Sequence, residues 1–151
     1  MRIRFPLLLV AAVFAPGLCH ACSCGDEIFT DDKPAIAKAL SEADAVFVGR
    51  IESAELVSKL DSGIEGQHTG FYVVRSWKGE TSTRIYIQTS LAHCGFGFPS
   101  SGEFLVYAYT APETGYFRTT VCTRTKPSSQ ASKEISILDE LEAAGASRTS
   151  R

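Results

Sequence analysis

Short runs of β-branched and aromatic residues, separated by polar turn sequences, dominate the chain. Residues 45–55 (AVFVGRIESAE), 70–78 (GFYVVRSWK), 83–89 (TRIYIQT), 103–110 (EFLVYAYT) and 116–123 predict five strands. Gly49 predicts a bulge or bend in the first of them. The turns are residues 79–82 (GETS) and 112–115 (PETG). Residues 56–70, with Asp61-Ser62-Gly63 and Gly66, predict a long hairpin loop with extended arms. Residues 90–102 read as a Gly/Ser/Pro-containing connector that carries Cys94. Two segments follow a helical period instead. Residues 34–40, preceded by Asp31-Asp32, predict a short helix with acidic residues at its start. Residues 129–144 predict a C-terminal amphipathic helix with Ile135, Leu138 and Leu141 on one face, stopped by Gly145 and followed by a loose tail over 146–151. Five strands with short turns favour a closed or nearly closed barrel, because closure removes sticky strand edges. The fold class is therefore all-β with flanking helices. Trp77, Phe71, Phe104, Phe117 and the strand tyrosines are assigned to the core or the barrel wall.

The first 21 residues differ from this pattern. Arg2 and Arg4 precede an apolar stretch from Phe5 to Phe14, then Pro16, Gly17 and Cys19-His20-Ala21, the three parts of a secretory signal. Cleavage after Ala21 makes Cys22 the first residue. The apolar stretch is short for a membrane span, and no other segment approaches the roughly 18 apolar residues such a span requires. The expected destination is the periplasm or the medium. An acylated cysteine is the competing export reading, although Cys19, His20 and Ala21 match the lipobox preference at one position only. Removing the signal takes the balance of 15 basic and 17 acidic side chains to 13 and 17. That balance, with no Lys/Arg run, argues against nucleic-acid binding. No P-loop, GxGxxG turn, HExxH helix or GxSxG elbow is present, and no catalytic activity is expected. His93 near Ser90 lacks a third orienting group, so the chain is not read as an enzyme.

Processing also changes the cysteine count from five to four: Cys22, Cys24, Cys94 and Cys122. Three pairings are open. A Cys22–Cys24 bridge closes a small strained ring, whereas the other two pairings tie the new N-terminus to the middle and the end of the domain. In an extended segment Cys22 and Cys24 point to one face and Ser23 to the other. Bridges closing loops of about 70 to 100 residues each stabilise by roughly 4 to 5 kcal/mol in the chain-entropy model.

The start Cys22-Ser23-Cys24, the strand AVFVGRI, the segments FYVVRSWKG and IYIQTSLAHCG, and EFLVYAY followed by YFRTTVC together resemble the inhibitory domain of the tissue inhibitors of metalloproteinases. The resemblance covers nearly the whole exported chain, with residues 22–145 as the domain. It implies a netrin-like module, a five-stranded OB-fold barrel with helices packed against it. It further implies the bridges Cys22–Cys94 and Cys24–Cys122. The partner it implies is a zinc metalloprotease. The α-amino group and carbonyl oxygen of Cys22 are to chelate the zinc of that protease, and the Ser23 side chain is to enter the adjoining pocket. Ser90, Leu91, Ala92 and His93 are to line the same ridge. The chain then needs no cofactor of its own, because the metal belongs to the partner, and a monomer suffices. An α-amino group with a pKa of about 7.7–8.0 is partly neutral at pH 7, as a metal ligand must be.

Two other classes fit the same residues. One is a netrin-like protein-binding module without inhibitory activity, using a barrel face or the loop over 56–70. The other is a metal or redox protein using the C-x-C pair with His93 or His68, which requires free thiols that an oxidising compartment does not favour.

Overall fold

The computed structural model describes residues 22–25, 30–60, 65–79, 82–92 and 94–149, and the expected export segment over 1–21 lies outside them. Helix α1 (Lys33–Glu42) leads into strands β1 (Ala45–Val57), β2 (Gly66–Lys78), β3 (Arg84–Ser90), β4 (Glu103–Thr110), β5 (Phe117–Arg118) and β6 (Lys126–Pro127). Helix α2 (Ser132–Thr149) follows. Five strands close a ring in the order β1-β2-β3-β5-β4 and back to β1, and β6 pairs with β4 at Phe104 and Leu105. All contacts in the ring are antiparallel except a parallel contact at Ile87 and Phe117. The result is a small β-barrel-like fold with two flanking helices.

The start of β1 (residues 45–49) and most of β4 are buried on both faces, which accounts for their nearly unbroken apolar runs. Ala45, Phe47 and Ile51 on β1, with Phe104, Val106 and Ala108 on β4, point into the barrel and meet Phe71, Ile85 and Ile87. Their alternates, Val46, Val48, Leu105 and Tyr107, point outward and are covered by Ile36 of α1 and Leu138 of α2. The register of β1 against β2 shifts between Val48 and Gly49. A Cβ on Gly49 would lie 2.8 Å from the Phe47 ring and 3.0 Å from Phe71. Glycine there lets these two rings meet edge to face, with centroids 5.8 Å apart.

The helices are held at their ends as well as by their apolar faces. Asp32 caps α1, its Oδ1 accepting from the Ala35 N–H at 2.8 Å, and Pro34 sits in the first turn. At the other end Lys78 Nζ donates to the carbonyls of Leu40 and Ser41, supplying a cation where the helix dipole is negative. The Trp77 indole N–H donates to Asp139 of α2 at 2.8 Å, and the Arg75 guanidinium lies 5.0 Å over the Trp77 ring while pairing with Asp139 and Glu142. Ile135, Leu138 and Leu141 of α2 all reach the barrel wall, on the face that the sequence pattern marks.

Beneath α2 lies a charged cluster. Glu134 is 1% exposed and Arg124 3%. The guanidinium of Arg124 grips both carboxylate oxygens of Glu134, Tyr107 Oη donates to Glu134 at 2.8 Å, and Lys126 Nζ approaches it at 2.7 Å. Burial, and then the adjacent Glu134 carboxylate, hold the Tyr107 phenol well above its ordinary pKa of 10.0.

Several expected boundaries are corrected. The strand expected over 116–123 is only two residues long. Beyond Arg118 the hydroxyls of Thr119, Thr123 and Thr125 bond to one another, and Thr123 N–H closes a turn on Thr120 O, so local bonds replace a ladder. The arms of the first hairpin continue as regular strand to the pair Val57 and Gly66, shortening its loop to residues 58–65. α2 starts at Ser132, after a 3-10 turn at Ser128–Gln130, and runs through Gly145 to Thr149. Gly145 is not among the glycines of positive φ, and with alanines on both sides it costs about 1 kcal/mol without ending the helix; residues 146–149 are therefore helix, not tail. Tyr72 and Tyr86 are 44% and 63% exposed, not wall residues, because their strand faces look outward from the ring where no helix covers them.

A phenol that stays protonated in the fold binds its proton more tightly than the unfolded chain does. Its contribution is complete below pH of about 10 and is lost as pH rises past that value. Tyr107→Phe is accordingly expected to flatten the alkaline decline of unfolding free energy above about pH 10, measured by urea titration. An unchanged slope would remove Tyr107 from the alkaline balance.

Candidate functional site

The site is built from the connector between β3 and β4, which is more than a loop. Phe96 and Phe98 turn back into the barrel mouth, where Phe98 stacks edge to face on Phe71 and Phe104 with centroids 5.0 and 5.3 Å away. The buried Gln67 side chain clasps the Phe98 backbone, accepting from its N–H and donating to its carbonyl, both at 2.8 Å. This pair of hydrogen bonds imitates a strand pair and satisfies backbone that would otherwise be buried alone. Ahead of the plug the connector folds tightly. A Cβ on Gly95 would fall 1.5 Å from the Ser90 carbonyl oxygen, so only glycine fits there.

Cys94 is placed by that fold and tied to the turn after β5. Gly95 bridges to Thr120, and Val121 N–H donates to Cys94 O at 2.9 Å. The two anchors, Cys94 and Cys122, thus stand side by side. Disulfides join Cys22 to Cys94, with Cα atoms 5.6 Å apart, and Cys24 to Cys122, at 5.1 Å. These are the pairs the resemblance implies. Cys22 and Cys24 are half-buried while Ser23 between them is exposed, the alternation expected of an extended tripeptide.

The remaining ridge residues divide. Leu91, 46% exposed, and Val121, 43% exposed, are apolar shoulders near the bridged anchors. Ala92 is half-buried. Ser90 turns its hydroxyl into its own loop, accepting from Ala92 N–H at 3.0 Å and donating to Ala92 O at 3.1 Å, so its side chain shapes the connector instead of facing a partner. His93 lies outside the described residues. A cleft of about 810 Å³ opens beside both bridges, with Ser90, Ala92, Cys94, Thr120, Cys122 and Thr123 among its lining residues.

Sequence reasoning missed Thr120, Val121 and the Gln67–Phe98 clasp. The only available signals were the apolar spacing of Phe96 and Phe98 in a segment otherwise read as loop, and the direct adjacency of Val121 to Cys122. Among the described residues, no three His, Cys, Asp or Glu side chains gather as a metal site, and no helix is long and apolar enough to cross a membrane. With all four described cysteines bridged, free C-x-C thiols for redox or metal chemistry are not offered here.

The Cys24–Cys122 bridge spans 98 residues. Replacing both cysteines with serine is expected to lower unfolding free energy by up to about 4 to 5 kcal/mol in a guanidinium titration. A loss below about 1 kcal/mol would show that this bridge does little to restrict the unfolded chain. In comparison with known proteins, no family model matches the chain, and no curated protein matches it.

Proposed function

We propose that the exported chain inhibits zinc metalloproteases through its N-terminus, on a barrel of the netrin-like OB type, and catalyses nothing itself. The observation that carries this reading is the convergence of both disulfides on residues 22 and 24, which leaves Ser23 exposed between them. Two long-range bridges on the first and third residues are more than a staple requires, since one would hold the terminus. What they add is rigidity at the tip. A stiff tip loses little conformational entropy on docking, and that loss is what ordinarily weakens binding by a chain end.

The chemistry follows from the position of the amine. A catalytic zinc keeps one coordination site for water beside its three protein ligands. The neutral α-amino group of Cys22 would displace that water, and the Cys22 carbonyl oxygen, three bonds from the amine, would offer a second donor that closes a five-membered chelate ring. The sulfur of Cys22 takes no part, because it is already oxidised. Ser23 enters the protease pocket, and Leu91 and Ala92 extend the contact along the ridge. Because the amine binds as the neutral base, inhibition should weaken as pH falls below about 7.7. A monomer suffices for this mode, and export to the periplasm or medium brings the chain to secreted proteases.

The test compares the chain beginning at Cys22 with one carrying an extra alanine ahead of it, against a panel of secreted zinc endopeptidases. The native start is expected to inhibit at least one of them, and the extension to weaken that inhibition by more than about tenfold, or ~1.4 kcal/mol. Equal inhibition by both forms, or none by the native form across the panel, overturns the proposal.

A further inference from the structure

The buried cluster under α2 reaches the N-terminal segment at a second point. Arg124 Nη2 donates to Asp31 Oδ1 at 3.1 Å, and Lys126 Nζ lies 3.5 Å from the same oxygen. Arg124 stands two residues after Cys122, and Asp31 seven residues after Cys24. Cys24 and Asp31 are therefore both fastened to one short segment, by a covalent bond at Cys122 and an ion pair at Arg124.

A disulfide alone fixes a point, not a direction, because rotation about its bonds lets the attached backbone swing. A second fastening nearby removes that freedom. Arg124 suits the task because it does not move: its side chain is 2% exposed and gripped by Glu134, itself pinned by Tyr107 and Lys126. Asp31 is the exchangeable end, with its side chain 42% exposed.

We propose that Asp31 is a positioning residue for the N-terminal tip, a non-covalent second anchor that sets the direction in which residues 22–25 leave the Cys24–Cys122 bridge. Its consequence for a protease rests on the inhibitor reading above, whereas its consequence for the tip does not. Asp32 supplies the control: it is the neighbouring residue, it caps α1, and asparagine caps equally well.

The experiment compares the mature chain with Asp31→Asn, Asp32→Asn and Asp31→Glu. Amide hydrogen exchange is read at Ser23, Cys24 and Gly25, and inhibition is read on a sensitive zinc endopeptidase. Asp31→Asn is expected to raise exchange at these amides about two- to fivefold and to weaken inhibition by a similar factor, with global unfolding nearly unchanged, as for a partly exposed ion pair. Asp32→Asn leaves both readings alone, and Asp31→Glu recovers part of the protection. Unchanged exchange in Asp31→Asn overturns the proposal, as does raised exchange in Asp32→Asn. Raised exchange with undiminished inhibition overturns its bearing on the partner. If the native chain inhibits nothing, the inhibitor reading falls alone and the exchange result decides the anchor.

Discussion

The clasp of Gln67 on the Phe98 backbone is the constraint on which the rest of the site depends. It lets a connector with no strand of its own drive an aromatic ring into the barrel mouth without stranding a buried N–H and carbonyl. With Phe98 seated, Phe96 and Gly95 follow in a fixed order, and Cys94 arrives beside Thr120 and Val121. The place where the terminus is fastened is thus set by barrel packing, and the disulfides secure a geometry that noncovalent forces prepare.

Beneath α2, charge serves a similar end. A buried carboxylate is costly unless paired and hydrogen-bonded, and Glu134 meets that requirement with Arg124, Lys126 and Tyr107. An apolar cluster of the same volume would hold α2 as firmly. What it would lack is direction: the cluster admits one placement of the segment after Cys122, because a shift by one residue leaves a charge unpaired. Specificity of register is the gain we assign to it, at a site where register decides how the second bridge stands.

The strands and helices were legible because their periods are strong, and β1 and β4 could be recognised even though the start of β1 and most of β4 are buried on both faces. The helix face with Ile135, Leu138 and Leu141, the cap at Asp32 and the bulge at Gly49 were equally visible, since each is a local property. The order of strands around the ring was not, nor was the single parallel contact at Ile87 and Phe117. Local chemistry misled where tertiary context prevailed: Gly145 stays helical between alanines, threonine hydroxyls dissolve a strand after Arg118, and Tyr86 faces solvent on a strand otherwise rich in core residues. At the site, the count and spacing of cysteines left three pairings open, and only the resemblance implied the one present. The partners Arg124, Glu134 and Asp31 lie far apart in the chain, and no pattern in the intervening residues announces their meeting.

β5 joins the ring through Phe117 and Arg118 only, touching β3 at one residue pair and β4 at two. That makes it the seam of the barrel, the place where few ladder bonds oppose opening. The chain leaving this seam runs within four residues to Cys122, and its neighbour across the gap, β3, runs within four residues to Cys94. Cys22 and Cys24, one residue apart, therefore act as a clip laid across the join, so that the expected first three residues of the mature chain also lock shut the wall behind them.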